Sequence, residues 1–105
     1  MLGILTTRNP YSVITTTGSV LHRGAYLLDS SAGAITVKLP LSPATNDIIV
    51  LWDGKGVWGT NNVTLDRNGK SILDVSGTAT AEDLILNQNN IQVTMLYDGT
   101  DWRLL

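Results

Sequence analysis

Ile48-Ile49-Val50-Leu51-Trp52 is a run of five apolar residues, rich in the β-branched and aromatic types that fit a pleated strand and too short to be a buried helix. A half-buried strand alternates apolar and polar residues. An unbroken apolar run is instead expected to be covered on both sides, by the core and by either another layer or another subunit. This segment is therefore read as the central strand. On one side of it, Ile35, Val37 and Leu39 alternate with Thr36 and Lys38; on the other, Val63 and Leu65 alternate with Thr64 and Asp66. Each is read as a half-buried antiparallel strand with one wet face. Strand-like runs recur about every 8–12 residues, which is the spacing of a sandwich or barrel. Strands are predicted at residues 12–17, 25–29, 35–39, 48–52, 63–66, 71–73, 84–87, 92–97 and 101–105. The predicted fold is all-β: an antiparallel β-sandwich or barrel-like domain of about eight to nine short strands.

The connections carry turn chemistry. Asn68-Gly69 suits the two positive φ angles of a type I′ turn and predicts a hairpin between residues 63–67 and 70–73. Asp98-Gly99-Thr100 predicts the last hairpin. Pro40 and Pro43 bracket a loop, because neither can donate to a ladder, and Asn46-Asp47 restarts the chain. The one helical hint is the capping-box spacing from Thr80 to Asp83, but the apolar stretch that follows is too short to bury a stripe.

Composition narrows the partners. The chain has 105 residues, one domain's worth, and no cysteine, so it has neither a disulfide framework nor a thiolate metal site. Charged residues are 15% of the chain, well below the usual share of about a quarter. Net charge is −2 and the seven basic residues are scattered, which gives no footprint for nucleic acid or an anionic membrane. The apolar start, Met1-Leu2-Gly3-Ile4-Leu5, stops at Thr6, too early for a signal peptide. No stretch approaches the roughly 20 apolar residues of a membrane span.

Chemistry-bearing patterns are weak. Gly54, Gly56 and Gly59 spell G-x-G-x-x-G after the apolar strand, but Thr60-Asn61-Asn62 leads into another strand where a dinucleotide site needs a helix. A flexible inter-strand loop is the expectation. His22 is the single histidine and sits beside Arg23, so it offers neither a two-histidine metal site nor the base of a triad, and it is expected at the surface before a strand. The acids Asp29, Asp47, Asp53, Asp66, Asp74, Glu82, Asp83, Asp98 and Asp101 fall mostly at turns and strand ends, where carboxylates bond local backbone. Asp53-Gly54 and Asp98-Gly99-Thr100-Asp101 lack the oxygen density of a calcium loop. No cofactor, catalytic residue or metal ligand is expected, and the chain is read as a non-enzyme. Trp52, Trp58, Tyr97 and Trp102 are the candidate interface or ligand aromatics, with Trp58 the ring expected to be most exposed. In a chain with no phenylalanine they are also candidate core fillers.

One segment resembles a known family. Tyr26-Leu-Leu-Asp-Ser-Ser-Ala-Gly-Ala-Ile-Thr-Val-Lys-Leu-Pro40, followed by Asp47-Ile-Ile-Val50, then Asn61-Asn-Val-Thr-Leu-Asp-Arg-Asn-Gly69 and Tyr97-Asp-Gly-Thr-Asp-Trp102, resembles the β-rich domains of tailed-bacteriophage fibre and capsid-decoration proteins. The resemblance covers residues 25–105. It implies a non-enzymatic structural protein of the virion surface, working as a homotrimer with phage capsid or tail proteins as partners. Residues 1–24 lie outside the pattern and are read as an extended arm, with Met1, Leu2, Ile4 and Leu5 as candidate capsid-docking residues. The function expected is a capsid decoration (cement) protein. The runner-up is a small tail-fibre or receptor-binding module, whose partner would be a host surface glycan.

Overall fold

The computed structural model describes residues 11–73, 76 and 79–105, with backbone alone at 79 and 80. Among these residues the chain is all-β, with ten short strands: β1 (Ser12–Ile14), β2 (Gly24–Leu28), β3 (Ile35–Lys38), β4 (Ile48–Asp53), β5 (Val63–Asp66), β6 (Ile72–Leu73), β7 (Ala79–Thr80), β8 (Leu84–Leu86), β9 (Gln92–Tyr97) and β10 (Trp102–Leu104). The capping-box spacing opens no helix. Thr80 ends a strand, and Asp83 accepts the Arg67 backbone N–H at 3.0 Å.

The strands form a seven-stranded sheet, ordered β1-β2-β4-β9-β10-β6-β7, and a three-stranded sheet, ordered β3-β5-β8. The run at residues 48–52 is indeed an interior strand, flanked by β2 and β9. The expectation of purely antiparallel pairing is corrected. β1 with β2, β2 with β4, β3 with β5 and β6 with β10 are parallel, while β4 with β9, β9 with β10, β5 with β8 and β6 with β7 are antiparallel. The cause is the path of the chain. After β2 it crosses to the smaller sheet as β3, returns to the larger as β4, and crosses again as β5. Parallel neighbours need a long crossover, usually a helix; here a strand of the opposite sheet supplies it.

The same crossing corrects the Asn68-Gly69 hairpin. The turn has its expected backbone, with φ of 50° and 92° and a bond from Lys70 N–H to Arg67 C=O. However, β5 and β6 belong to different sheets, so the turn changes layer rather than pairing its flanks. The last hairpin forms as expected, with Trp102 opposite Tyr97.

The boundary at residue 24 also moves. Residues 11–24 were expected in the arm, yet β1 pairs along β2, Val20 bridges Lys38, and Leu21 is fully buried. The Leu21 N–H bonds the Lys38 carbonyl, and the Lys38 N–H bonds that of Ser19, so this stretch closes the edge of the smaller sheet. Met1, Leu2, Ile4 and Leu5 lie outside the described residues.

The core fills the space between the sheets. Ile35, Val37, Leu39, Val63, Leu65 and Leu86 come from the smaller side; Leu28, Ile49, Leu51, Met95, Tyr97 and Trp102 come from the larger. The alternation read for β3 and β5 holds, with Thr36, Lys38, Thr64 and Asp66 directed outward.

Candidate functional site

Strand β4 is apolar along its whole length, but only half of it meets the core. Ile49 and Leu51 are fully buried, and since successive side chains of a strand point to opposite faces, Ile48, Val50 and Trp52 lie on the outer face of the larger sheet. Ile48 is 44% exposed, and Val50 and Trp52 are half-buried. The register places further apolar residues beside them: Val13 opposite Leu27, Leu27 opposite Trp52, Ala25 opposite Val50, and Ile48 opposite Leu96. Val13 is 54% exposed. The Tyr11 ring meets Trp52 edge-on, with centroids 5.7 Å apart and planes at 74°. Thr94, Gln92 and Arg103 supply the polar groups of this face, and Arg103 is already bound through Nε to Asp98 at 2.7 Å. The outer face of the smaller sheet is the opposite in character, with Thr36 beside Thr64 and Lys38 beside Asp66. Its apolar member is Ile85, next to Thr64.

Of the four candidate aromatics, Trp52 alone lies on the outer face. Trp58 was expected to be the most exposed ring; it is fully buried, and its Nε1–H donates to the Leu28 carbonyl at 3.1 Å. That bond satisfies the indole donor, which lets the ring fill core volume. Trp102 and Tyr97 are also core residues, with ring centroids 5.2 Å apart. Tyr11 joins Trp52 there as a further aromatic, and residues not singled out from the sequence complete the face: Val13, Ala25, Leu27 and Leu96. Part of their signal was present, since Ala25 to Leu28 is apolar on both alternations, as β4 is.

Among the described residues six carboxylates, those of Asp29, Asp47, Asp53, Asp66, Asp83 and Asp98, accept backbone N–H groups. Asp53 Oδ1 accepts the N–H groups of Lys55, Gly56 and Val57, and Oδ2 accepts those of Trp58 and Asn90. Burial alone would raise the pKa of this group, but the N–H groups of Asn90, Trp58 and Val57 outweigh it and hold the carboxyl below its usual range. The G-x-G-x-x-G segment is therefore a loop tied down around one carboxylate. Gly59 N–H also donates to Asn89 Oδ1 at 2.7 Å, and a side chain at Gly56 would strike Asn90 Oδ1 at 2.7 Å. Asp98 Oδ1 accepts the N–H groups of Thr100 and Asp101. Those bonds, chiefly the one from Asp101, together with Arg103, lower its pKa to about 2. Asp29 is held below its usual range by the hydroxyl and N–H of Ser31. Among the described residues no group of three or more His, Cys, Asp or Glu side chains is placed to hold a metal.

His22 is exposed ahead of β2, as expected, and lines an open cleft of about 350 Å³ with Arg23, Pro40, Pro43, Ala44 and Asp47. The Asp47 carboxylate there accepts the Ala44 N–H. No family model matches the chain, and no curated protein matches it in sequence.

Proposed function

We propose that this chain is a non-enzymatic structural protein of a bacteriophage virion, a decoration or cement protein that binds the capsid surface as a homotrimer and stabilises it. The observation that supports this reading is the contrast between the two outer faces. One is clothed in Thr, Lys and Asp for water, while the other presents Val13, Leu27, Ile48, Val50, Trp52 and Leu96. Contiguous exposed apolar surface of this kind marks a contact site rather than a solvated face. The carboxylates that might have carried chemistry at Asp53 and Asp98 are bound to backbone N–H groups. The resemblance over residues 25–105 supplies the setting.

Light scattering of the purified protein should give about three times 11.3 kDa. Particles made without the protein should lose resistance to heat or chelator and regain it when the protein is added back. Unchanged particle stability would overturn the reading. A tail-fibre or glycan-binding module is the second reading, favoured by the Tyr11–Trp52 pair at the surface, since stacking on an indole face is how sugars are held. Glycan-array binding lost on Trp52→Ala, with normal particle stability, would establish it instead.

A further inference from the structure

We infer that Asn68 is a site of covalent modification, at which the side-chain carboxamide closes onto the nitrogen of Gly69 and loses ammonia. The bond from Asn68 to Leu39 holds that reaction back in the folded chain, and the product weakens the seam between the two sheets. None of this depends on the structural-protein reading above.

The chemistry belongs to the dipeptide. Where asparagine precedes glycine, the glycine backbone nitrogen gives its proton to base in the solvent and attacks the asparagine Cγ. A new Cγ–N bond forms, the Cγ–Nδ2 bond breaks, and Nδ2 leaves as ammonia, which gives a five-membered succinimide. Water then adds to one of the two ring carbonyls and opens the ring to aspartate or isoaspartate, with no oxidant or reductant involved. Glycine favours the step because it has no Cβ to crowd the attacking nitrogen. Asn68-Gly69 is the one Asn-Gly pair in the chain. Solvent reaches it, since Gly69 is exposed, its N–H makes no hydrogen bond among the described residues, and nothing lies within 4 Å of where its Cβ would sit.

The fold supplies the restraint. Asn68 is half-buried, and its Nδ2 donates to the Leu39 carbonyl at 2.9 Å, a partner 29 residues away in the chain. Nδ2 is the atom that must leave, so the carboxamide cannot turn onto Gly69 until that bond opens. The backbone is pinned as well, because the Asn68 N–H donates to Asp66 Oδ1 at 2.8 Å. Leu39 is fastened through both of its backbone groups to this turn, its own N–H donating to the Asp66 carbonyl at 2.9 Å, at the point where the chain leaves β3.

Conversion removes one of those two fastenings. A carboxylate oxygen takes the place of the Nδ2 donor, so the carbonyl of the fully buried Leu39 loses its partner and faces a negative charge. The Asp66 carboxylate is held within the same turn and adds repulsion. The isoaspartate form also lengthens the backbone by one carbon inside the turn that carries the chain from β5 to β6.

The test incubates the full chain in mildly alkaline buffer, folded or unfolded in guanidinium chloride, beside a synthetic peptide of residues 63–73. Cleavage after lysine releases residues 56–70, in which Asn61 and Asn62 compete with Asn68, and fragmentation in the mass spectrometer locates the change. In the unfolded chain Asn68 should convert ahead of the other two. In the folded chain it should convert at least about fivefold more slowly than in the peptide, the factor that one net hydrogen bond represents. Two variants read the effect of the product. Asn68→Gly keeps the left-handed turn and removes the donor, whereas Asn68→Asp also adds the product's charge. Both should lower the urea midpoint, and Asn68→Asp should lower it further. Conversion of Asn61 or Asn62 ahead of Asn68 in the unfolded chain overturns the site. Folded chain that converts at the peptide's rate overturns the restraint by Leu39, and midpoints unchanged in both variants overturn the consequence for the seam.

Discussion

Asp53 shows how much of this fold rests on single side chains. Its two oxygens gather five backbone N–H groups from residues 55–58 and 90, joining the loop after β4 to the one before β9. Asp53→Ala is expected to cost about 1–2 kcal/mol after allowance for solvent screening, measured as a shift in urea midpoint. Trp58, held in the core by the Leu28 carbonyl, should cost about 3–5 kcal/mol on truncation to alanine. Asp98 sets an acid limit. Its pKa falls from the usual 3.8 to about 2 in the folded chain, so the stability it contributes is fully present above the unfolded value and is lost as pH drops through the folded one. The urea midpoint should therefore decline between about pH 4 and pH 2, and Asp98→Asn should flatten part of that decline. The local bonds of the turn-capping acids were legible from sequence position, because those partners lie within five residues, whereas the bonds from Asn90 to Asp53 and from Arg67 to Asp83 were not. The burial of Trp58 was not, because the carbonyl that accepts its Nε1–H is 30 residues away in the chain.

At the level of elements, the turn at Asn68-Gly69 separates local from long-range information. Gly69 has φ of 92° with nothing within 4 Å of where a Cβ would sit, so Gly69→Ala should cost about 1–2 kcal/mol from backbone strain alone, read from thermal or urea unfolding. The dipeptide specifies its own dihedrals, and these formed as read. It says nothing about whether the flanking strands pair, which depends on the whole path of the chain, and β5 and β6 went to different sheets. The same division explains β3 and β5: their alternation identified the buried face, but direction is invisible to a pattern with period two, so a parallel pair was read as antiparallel strands. β4 was legible as apolar on both faces. What covers the outer face had no signal in the run itself.

For the molecule as a whole, the first rung decides stability. Residues 12–14 pair with β2, and Leu21 lies fully buried beneath the edge of the smaller sheet. Removing residues 1–23 should therefore destabilise the domain by at least the 2–5 kcal/mol expected for Leu21→Ala alone, seen as a lower urea midpoint. A deletion that left the midpoint unchanged would mean that the strands from β2 onward suffice. The crossing path has another consequence, for how such a chain can change in length. Strand partners in the larger sheet are separated by 14 residues (Ser12 to Tyr26) and then by 25 (Gly24 to Ile49), while those in the smaller sheet are separated by 28 (Ile35 to Val63). The spacing varies because the loops at residues 39–47 and 54–62 absorb the difference. Insertions at the largely exposed residues 41–44 are expected to leave register unchanged, whereas one residue added inside β4 would exchange Ile49 and Leu51 for Val50 and Trp52 at the core. Variation in length is thus confined to the seam between the sheets or to whole circuits of the chain, the way a coil spring is lengthened by turns and never by a fraction of its wire's thickness.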